Sequence, residues 1–175
     1  MFTRNDLPKL FKGQAINMAE IGVEYGGYLD IYYPKLPDAN IWLIDLWQTE
    51  HNDDYFSKRE GQCEKAYDTI SNYVSLKNLH LCKGFSSFWA PKFPNQFFDW
   101  VYIDADHSYE AVLKDISLWL PKVKMGGIIS GHDCNPDPNN EAYETFGVDR
   151  AVKEIFGNDV KFTEEEYYKS WYKRV

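Results

Sequence analysis

Five short apolar runs alternate with segments of helical length along this chain, and that alternation limits the folds it can adopt. The runs are bounded by turn residues and read AINMAEIGV (15–23), IWLIDLW (41–47), LHLCKG (79–84), FDWVYIDAD (98–106) and GGIISGHDC (126–134). Their length and continuous hydrophobicity are typical of parallel strands that are buried on both faces. We therefore predict an α/β protein with a doubly wound, mostly parallel sheet.

Three of the intervening segments place apolar residues on one helical face. The clearest is 108–120, where the apolar positions recur three or four residues apart and Pro121 ends the run. Segments 61–74 and 148–156 follow the same spacing. The last stretch, VKFTEEEYYKSWYKRV (160–175), favours an antiparallel hairpin at the C-terminus. Together these patterns predict a Rossmann-like sheet with helices on both faces.

Length, charge and cysteine content disfavour several classes of protein. A chain of 175 residues fits a single domain, which we expect to span 1–175. The net charge of −8 argues against nucleic acid as a partner, because phosphate binding needs a basic surface. The three cysteines lack the spacing of a zinc site or a disulfide framework. No stretch is apolar enough for a signal peptide or a membrane span, so we expect a cytoplasmic protein that does not bind membranes.

Two irregular stretches follow the ends of predicted strands, at 48–61 and 135–147. Open α/β sheets bind ligands at the carboxyl ends of their strands, so either stretch is a candidate lid or substrate loop. A solvated connection without a role in binding is the alternative for both.

The turn after the first strand is rich in glycine but also carries two acids. It reads Glu20-Ile-Gly-Val-Glu-Tyr-Gly-Gly27, which differs from the G-x-G-x-x-G of dinucleotide-binding proteins. Glu20 and Glu24 would repel a pyrophosphate but would attract an ammonium or sulfonium group. Asp45 follows Gly22 by 23 residues, a spacing suited to an acid that accepts ribose hydroxyls. S-adenosylmethionine carries both a sulfonium group and a ribose. The alternative for Glu20 and Glu24 is that they are ordinary solvated acids of a turn.

Charged residues also gather where the fourth and fifth strands end. Asp104, Asp106 and His107 follow the fourth strand, and His132 and Asp133 close the fifth. Such groups at the end of a buried strand need partners, which a ligand, a cation or a helix N-terminus can supply. Capping of the next helix by Asp106 or Ser108 accounts for part of this cluster. It does not readily account for Asp104.

Four segments of the chain together resemble the class I S-adenosylmethionine-dependent methyltransferases, and within them the methyltransferase domain 24 family. They are AEIGVEYGGYLDIY, IWLIDLW, FDWVYIDADHSYEAVLKDISLWLPKVKMGGIISGHD and GVDRAVKEIF, within roughly 15–157. This family is related to macrolide-sugar and catechol O-methyltransferases. The resemblance implies a cofactor site in which Glu20, Gly22 and Gly26 hold the methionine end, Asp45 the ribose, and Gly84, Phe85 and Ser86 the adenine. We add Glu24 and Asp104 to the expected cofactor site.

The resemblance to metal-dependent O-methyltransferases also implies a metal site, formed by Asp104, His132 and Asp133. Carboxylates suit Mg²⁺, but the histidine stands where the catechol enzymes carry an acid. An imidazole makes the site better suited to Mn²⁺, Fe²⁺ or Zn²⁺, or marks a site without metal. In the latter case His132 and Asp133 would hydrogen-bond to each other and to nearby backbone.

His107 is the candidate general base of this site, with Asp104 beside it as a second catalytic residue. Methyl transfer to a hydroxyl requires removal of the hydroxyl proton, which an imidazole accepts near neutral pH. The alternative is a structural histidine bonded to backbone at the start of a helix. His51 and His80 have no comparable neighbours, and we expect them to be structural or exposed.

The function that we predict is S-adenosylmethionine-dependent O-methylation of a small hydroxylated acceptor such as a sugar. The reaction would proceed either with or without a divalent metal. A NAD-dependent oxidoreductase or epimerase is the first alternative, although G-x-G-x-x-G and Tyr-x-x-x-Lys are absent. A phosphatase would need its Asp-x-Asp pair after the first strand, whereas Asp104-Ala-Asp106 follows the fourth. A non-catalytic nucleotide-binding module is the last alternative. The aromatic C-terminal stretch would suit a homo-oligomer.

Overall fold

A seven-stranded sheet forms the centre of the protein in a computed structural model that describes residues 1–47, 62–73, 78–134, 147–165 and 167–175. The strands are β1 (Asn17–Ile21), β2 (Asn40–Asp45), β3 (Leu79–Lys83), β4 (Phe98–Ile103), β5 (Val123–Cys134), β6 (Lys161–Phe162) and β7 (Lys169–Arg174). Their order is β3-β2-β1-β4-β5-β7-β6. Strands β1 to β5 are parallel, and β7 is antiparallel to both β5 and β6. The predicted parallel sheet and C-terminal hairpin are therefore confirmed.

The three helices that the apolar spacing predicts are present as the second, fourth and fifth of the protein, and two short helices were not predicted. In chain order the helices are α1 (Leu29–Tyr32), α2 (Gln62–Tyr73), α3 (Ser86–Trp89), α4 (Tyr109–Trp119) and α5 (Val148–Phe156). Short 3-10 segments cover Arg4–Phe11, Tyr33–Lys35, Ala90–Lys92, Leu120–Lys122 and Gly157–Asp159. Helix α4 ends directly before the turn that contains Pro121, because proline cannot donate the next helical hydrogen bond.

Two hydrophobic clusters cover the two faces of the sheet, which confirms helices on both. On one face, Met18 of β1 and Trp100 of β4 pack beneath α1, α2 and the N-terminal 3-10 segment. On the other face, Ala19 of β1 and Val101 of β4 pack beneath α4 and α5. Successive residues of one strand thus belong to clusters on opposite faces of the sheet, because side chains alternate along a strand. Within the described ranges, none of the helices has the length and apolarity needed to cross a membrane.

The strand order places a crevice at the carboxyl ends of β1 and β4. Chain connections leave the sheet in opposite directions on either side of this pair, and ligands of open α/β sheets bind at such a point. The register pairs Ile21 with Ile103, so the two strands end at the same level. The irregular stretches at 48–61 and 135–147, with His51, lie outside the described residues except for Gly147.

Candidate active site

The glycine turn after β1 lies directly against the end of β4. Gly22 adopts a φ of 85°, and a Cβ added there would stand 2.1 Å from the carbonyl oxygen of Asp104. A side chain at this position is therefore excluded both by conformation and by space. Gly26 also has a positive φ, of 78°, and its amide closes the turn onto the carbonyl of Val23 at 2.8 Å. The turn thus brings the ends of β1 and β4 into contact.

Asp45, the last residue of β2, holds this turn in place. Its Oδ2 accepts hydrogen bonds from the backbone amides of Val23 at 2.7 Å and of Glu24 at 2.9 Å. Its Oδ1 accepts one from the amide of Trp47 at 2.7 Å. Oδ2 already accepts two hydrogen bonds, whereas Oδ1 accepts one and keeps a second lone pair for a ligand hydroxyl. The residue predicted to hold a ribose therefore lies beside the turn and also organises it.

The segment after β3 adjoins Asp45 through the backbone. The amide of Gly84 donates to the carbonyl of Asp45 at 2.8 Å. Phe85 follows with 63% of its surface exposed, which leaves its ring available for a ligand. The hydroxyl of Ser86 turns towards α4, where it donates to Asp115 at 2.5 Å and accepts from the Trp119 indole at 2.8 Å. Gly84 and Phe85 thus border the crevice, whereas the Ser86 hydroxyl fastens two helices together.

Glu20 is buried beneath the crevice and is only 1% exposed. The Tyr32 hydroxyl donates to its Oε2 at 2.5 Å. Burial raises the pKa of Glu20 to about 8, although the hydrogen bond from Tyr32 acts in the opposite direction. At neutral pH the side chain is therefore mostly the uncharged acid. Glu24, the second acid of the turn, is exposed at the surface.

Asp104 lies at the end of β4, between the glycine turn and the N-terminal 3-10 segment. Its amide donates to the carbonyl of Ile21 at 2.7 Å, which fixes its backbone to β1. Its Oδ2 accepts a hydrogen bond from Nη2 of Arg4 at 2.6 Å. The guanidinium of Arg4 also lies over the Tyr28 ring, 4.2 Å from its centre. The carboxylate at the centre of the site thus has an internal cationic partner.

His107 connects Asp104 with Asp133. Its Nε2 lies 2.9 Å from Oδ2 of Asp133 and 3.7 Å from Oδ1 of Asp104. Burial lowers the pKa of His107, but the hydrogen bonds and charges of the two acids outweigh it and raise that pKa to about 10. Burial likewise opposes ionisation of Asp133, yet its bonds to His107 and His132 hold its pKa well below the usual range. At neutral pH His107 is therefore an imidazolium paired with carboxylates.

An irregularity in β5 turns Asp133 towards this cluster. The register between β5 and β7 shifts between Gly131 and Cys134. Asp133 lies within the shift and adopts a φ of 57°, which is unusual for a residue other than glycine. Bulges of this kind often redirect a side chain beside an active site.

The donor atoms that would hold a metal converge on a different histidine from the one predicted. One ligand atom each from Asp104, His107 and Asp133 lie within 4.8 Å of one another. His132 is placed further out, with Nδ1 3.3 Å from Asp133 and 4.0 Å from Asp104. Two carboxylates and an imidazole suit a borderline cation such as Mn²⁺ better than they suit Mg²⁺. The donor set therefore fits a divalent metal, with Arg4 already bonded to one of the carboxylates.

Four side chains of this site escaped the sequence analysis. Tyr28 and Tyr32 follow the glycine turn four residues apart, so a helical reading of the segment after the turn would have placed both on one face. Arg4 gave no such signal, because 100 positions separate it from its partner Asp104. Asp115 stands on the face of α4 that was expected to be apolar, and it is buried against Ser86. His80 is exposed and stacks on Trp42, which agrees with the expectation that it is structural or exposed.

Comparison with known families and structures agrees with this geometry. Residues 19–134, more than half of the chain, match the family model described as "Methyltransferase domain". A search of curated proteins gave no match.

Three solved structures of similar fold are distant from this chain in sequence. A SAM-dependent methyltransferase from Aquifex aeolicus is 15% identical with a TM-score of 0.65, and the match covers 98% of this chain and 88% of that one. A candidate caffeoyl-CoA O-methyltransferase from Staphylococcus aureus is 12% identical with a TM-score of 0.66, over 98% and 80% of the two chains. Spermidine synthase from Thermotoga maritima is 16% identical with a TM-score of 0.61, over 99% and 56%. The chain therefore belongs to the methyltransferase-domain family and has the fold of the class I S-adenosylmethionine-dependent methyltransferases.

Proposed function

We propose that this protein is an O-methyltransferase that transfers a methyl group from S-adenosylmethionine to a small hydroxylated acceptor such as a sugar. One observation carries the proposal. The glycine turn, Asp45 and the cluster of Asp104, His107 and Asp133 all meet at the crevice between β1 and β4. The residues assigned here to the cofactor and to proton transfer would thus border the same space, as methyl transfer requires.

The cofactor would lie along the carboxyl ends of β1, β2 and β3. In this arrangement the methionine end contacts the turn at Gly22, Glu24 and Gly26 and the nearby Asp104, while Glu20, which was also expected there, lies buried and mostly uncharged beneath it. Asp45 would accept the ribose hydroxyls, and Gly84, Phe85 and Ser86 would border the adenine, with Ser86 contributing its backbone. S-adenosylmethionine supplies a methyl group that its sulfonium already activates. The protein has chiefly to align donor and acceptor.

His107 would accept the proton of the acceptor hydroxyl. As the oxygen would bond to the methyl carbon and the carbon–sulfur bond would break to leave S-adenosylhomocysteine, the proton would pass to Nε2, the atom that now contacts Asp133. The raised pKa of His107 makes the neutral imidazole a strong base but a scarce one at neutral pH. We therefore expect activity to increase towards alkaline pH.

A divalent cation at Asp104 and Asp133 would be the metal-assisted form of this proposal. Bound there, it would lower the pKa of the acceptor hydroxyl. Two histidines are candidates for the nitrogen ligand. The resemblance implied His132, whereas the Nε2 of His107 lies closer to both acids. Only neutral imidazole coordinates a metal, so His107 would have to lose its proton to serve.

Ligand-induced stabilisation tests the proposal without knowledge of the acceptor. We expect S-adenosylmethionine or S-adenosylhomocysteine to raise the melting temperature, because a ligand that binds only the folded state stabilises it by mass action. NAD should have no effect. Stabilisation by NAD and not by S-adenosylhomocysteine would favour an oxidoreductase instead. A panel of sugars and phenols, scored by methylated product, would then identify the acceptor.

A further inference from the structure

The N-terminal 3-10 segment, Arg4–Phe11, carries a cation into the active site. Nη2 of Arg4 lies 2.6 Å from Oδ2 of Asp104, and the two side chains are only 23% and 17% exposed. Ion pairs on a protein surface contribute little, but a pair shielded from water interacts more strongly. One of the two oxygens of Asp104 is thus committed to Arg4.

Contacts on both sides of its backbone hold Arg4 in this position. The backbone amide of Arg4 donates to the carboxylate of Glu165, and its carbonyl accepts from the Tyr28 hydroxyl at 3.1 Å. The guanidinium rests on the ring of Tyr28. Further along the segment, Leu7 and Phe11 are 1% and 4% exposed and belong to the core. Residues 1–4 are thus held chiefly by polar contacts and by Phe2 on Tyr172, which a release of Arg4 would have to break, whereas Leu7 and Phe11 are anchored in the core.

The position of Arg4 has an electrostatic consequence for any metal. The donor atoms of Asp104, His107 and Asp133 lie within 4.8 Å of one another, and the Arg4 guanidinium adjoins this group through Asp104. A divalent ion placed among these atoms would be repelled by the neighbouring positive charge, with little screening in a half-buried site. It would also compete with Arg4 for the negative charge of Asp104.

We propose that Arg4 is a built-in competitor of the divalent cation, so that a metal binds Asp104 only when Arg4 and the first residues of the N-terminal segment are released. Arg4 would then act on the metal site through Asp104 as a positioning residue. This inference rests on the metal-assisted form of the proposed function.

Titration calorimetry of the full chain with Mn²⁺ tests the competition. Arg4→Gln should tighten Mn²⁺ binding by about tenfold or more, because it removes the opposing charge. Arg4→Lys keeps that charge and should stay within about threefold of the wild type. Lys9→Gln is the matched control, since it removes a positive charge from the same segment where the partner is Asp6 and not Asp104. It should leave the affinity unchanged.

Equal Mn²⁺ affinity in Arg4→Gln and the wild type would overturn the inference, and so would a lack of binding in both. Parallel titration with S-adenosylhomocysteine separates this failure from that of the proposed function. If S-adenosylhomocysteine binds while Arg4→Gln has no effect on Mn²⁺, the inference alone fails. If S-adenosylhomocysteine does not bind, the proposed methyltransferase fails as well.

Hydrogen exchange on the wild-type protein gives a second test that needs no variant. The amides of Phe2 and Arg4 donate to Glu164 and Glu165, and release of the segment would break these bonds. Saturating Mn²⁺ should therefore speed exchange in residues 2–6 and leave residues 7–11 unchanged. Unaltered exchange in residues 2–6 at saturation would overturn the proposal.

Discussion

Individual side chains at the crevice serve the fold and the site at once. Asp45 ties the glycine turn to β2, and it is also the candidate partner of the ribose. His107 joins Asp104 and Asp133, and it is also the candidate base. A substitution at either residue therefore has two effects that must be measured separately.

Asp45 can be tested by separating its charge from its hydrogen bonds. Asp45→Asn keeps an oxygen for the turn amides but loses the acceptor for the Trp47 amide, so we expect a smaller loss of stability than in Asp45→Ala and weaker S-adenosylhomocysteine binding, by about 1.5–3 kcal/mol. Asp45→Ala should lower both affinity and melting temperature. Calorimetry measures the affinity and thermal unfolding measures the stability. Asp30→Ala, which removes an exposed carboxylate, is the control. Unchanged affinity in Asp45→Asn would refute a role in cofactor binding.

His107→Ala should separate binding from chemistry. We expect turnover to fall by about 10²–10⁴-fold, the usual contribution of a general base, while S-adenosylmethionine affinity changes little. In the metal-free wild type the rate should rise with pH towards the His107 pKa of about 10, because only the neutral imidazole accepts a proton. Steady-state kinetics with an identified acceptor measures both. A variant with wild-type turnover across this range would show that His107 is structural.

At the scale of elements, the glycine turn lies directly against the end of β4. The turn contacts the carbonyl of Asp104, and the amide of Asp104 returns a bond to Ile21. Strand β1 and strand β4 are thus joined beyond their last paired residues. Packing at this junction leaves no room for a Cβ at Gly22.

Gly22→Ala should reveal the contribution of this junction. The new methyl group would overlap the Asp104 carbonyl, and we expect the free energy of unfolding to fall by about 2 kcal/mol or more. Gly13→Ala is a matched control, because Gly13 also has a positive φ but nothing within 4 Å of its added Cβ. It should lose only the conformational part, about 1–2 kcal/mol. Chemical denaturation measures both losses of unfolding free energy. Equal losses in Gly22→Ala and Gly13→Ala would disprove a steric effect at Gly22.

For the whole molecule, the buried Glu20 links stability to pH. Its ordinary pKa is 4.5, and burial raises this pKa to about 8 in the folded protein. Between these values the unfolded chain has lost the Glu20 proton while the folded protein retains it. The folded state therefore binds more protons, and stability falls as pH increases through this window.

Glu20→Gln should remove this dependence. The amide keeps an acceptor for Tyr32 but has no charge to bury. Relative to the wild type, the variant should gain about 1.4 kcal/mol per pH unit between pH 4.5 and 8 and nothing below pH 4.5. Denaturant unfolding at several pH values measures the difference. A constant difference between the two proteins across this range would contradict the raised pKa.

The fold was predictable because its signals are local. Strands β2 and β3 and helices α4 and α5 match the predicted segments to within two residues, since periodicity and Pro121 act over short stretches. Strand ends were less predictable: β4 ends at Ile103 and not at residue 106, and β5 begins at Val123, three residues before the predicted start. Pairing of Ile103 with Ile21 of β1 and of Val123 with Phe98 of β4 sets those limits.

By itself the sequence determined the alternation of strand and helix and the concentration of acids at strand ends, because both are encoded in neighbouring residues. Tertiary structure alone decided which of these groups meet. It brought His107 to Asp104 and Asp133 and set His132 further out, through a bulge in β5. It also placed Arg4 on Asp104, since contacts across 100 residues arise from packing and leave no periodic signal in the chain.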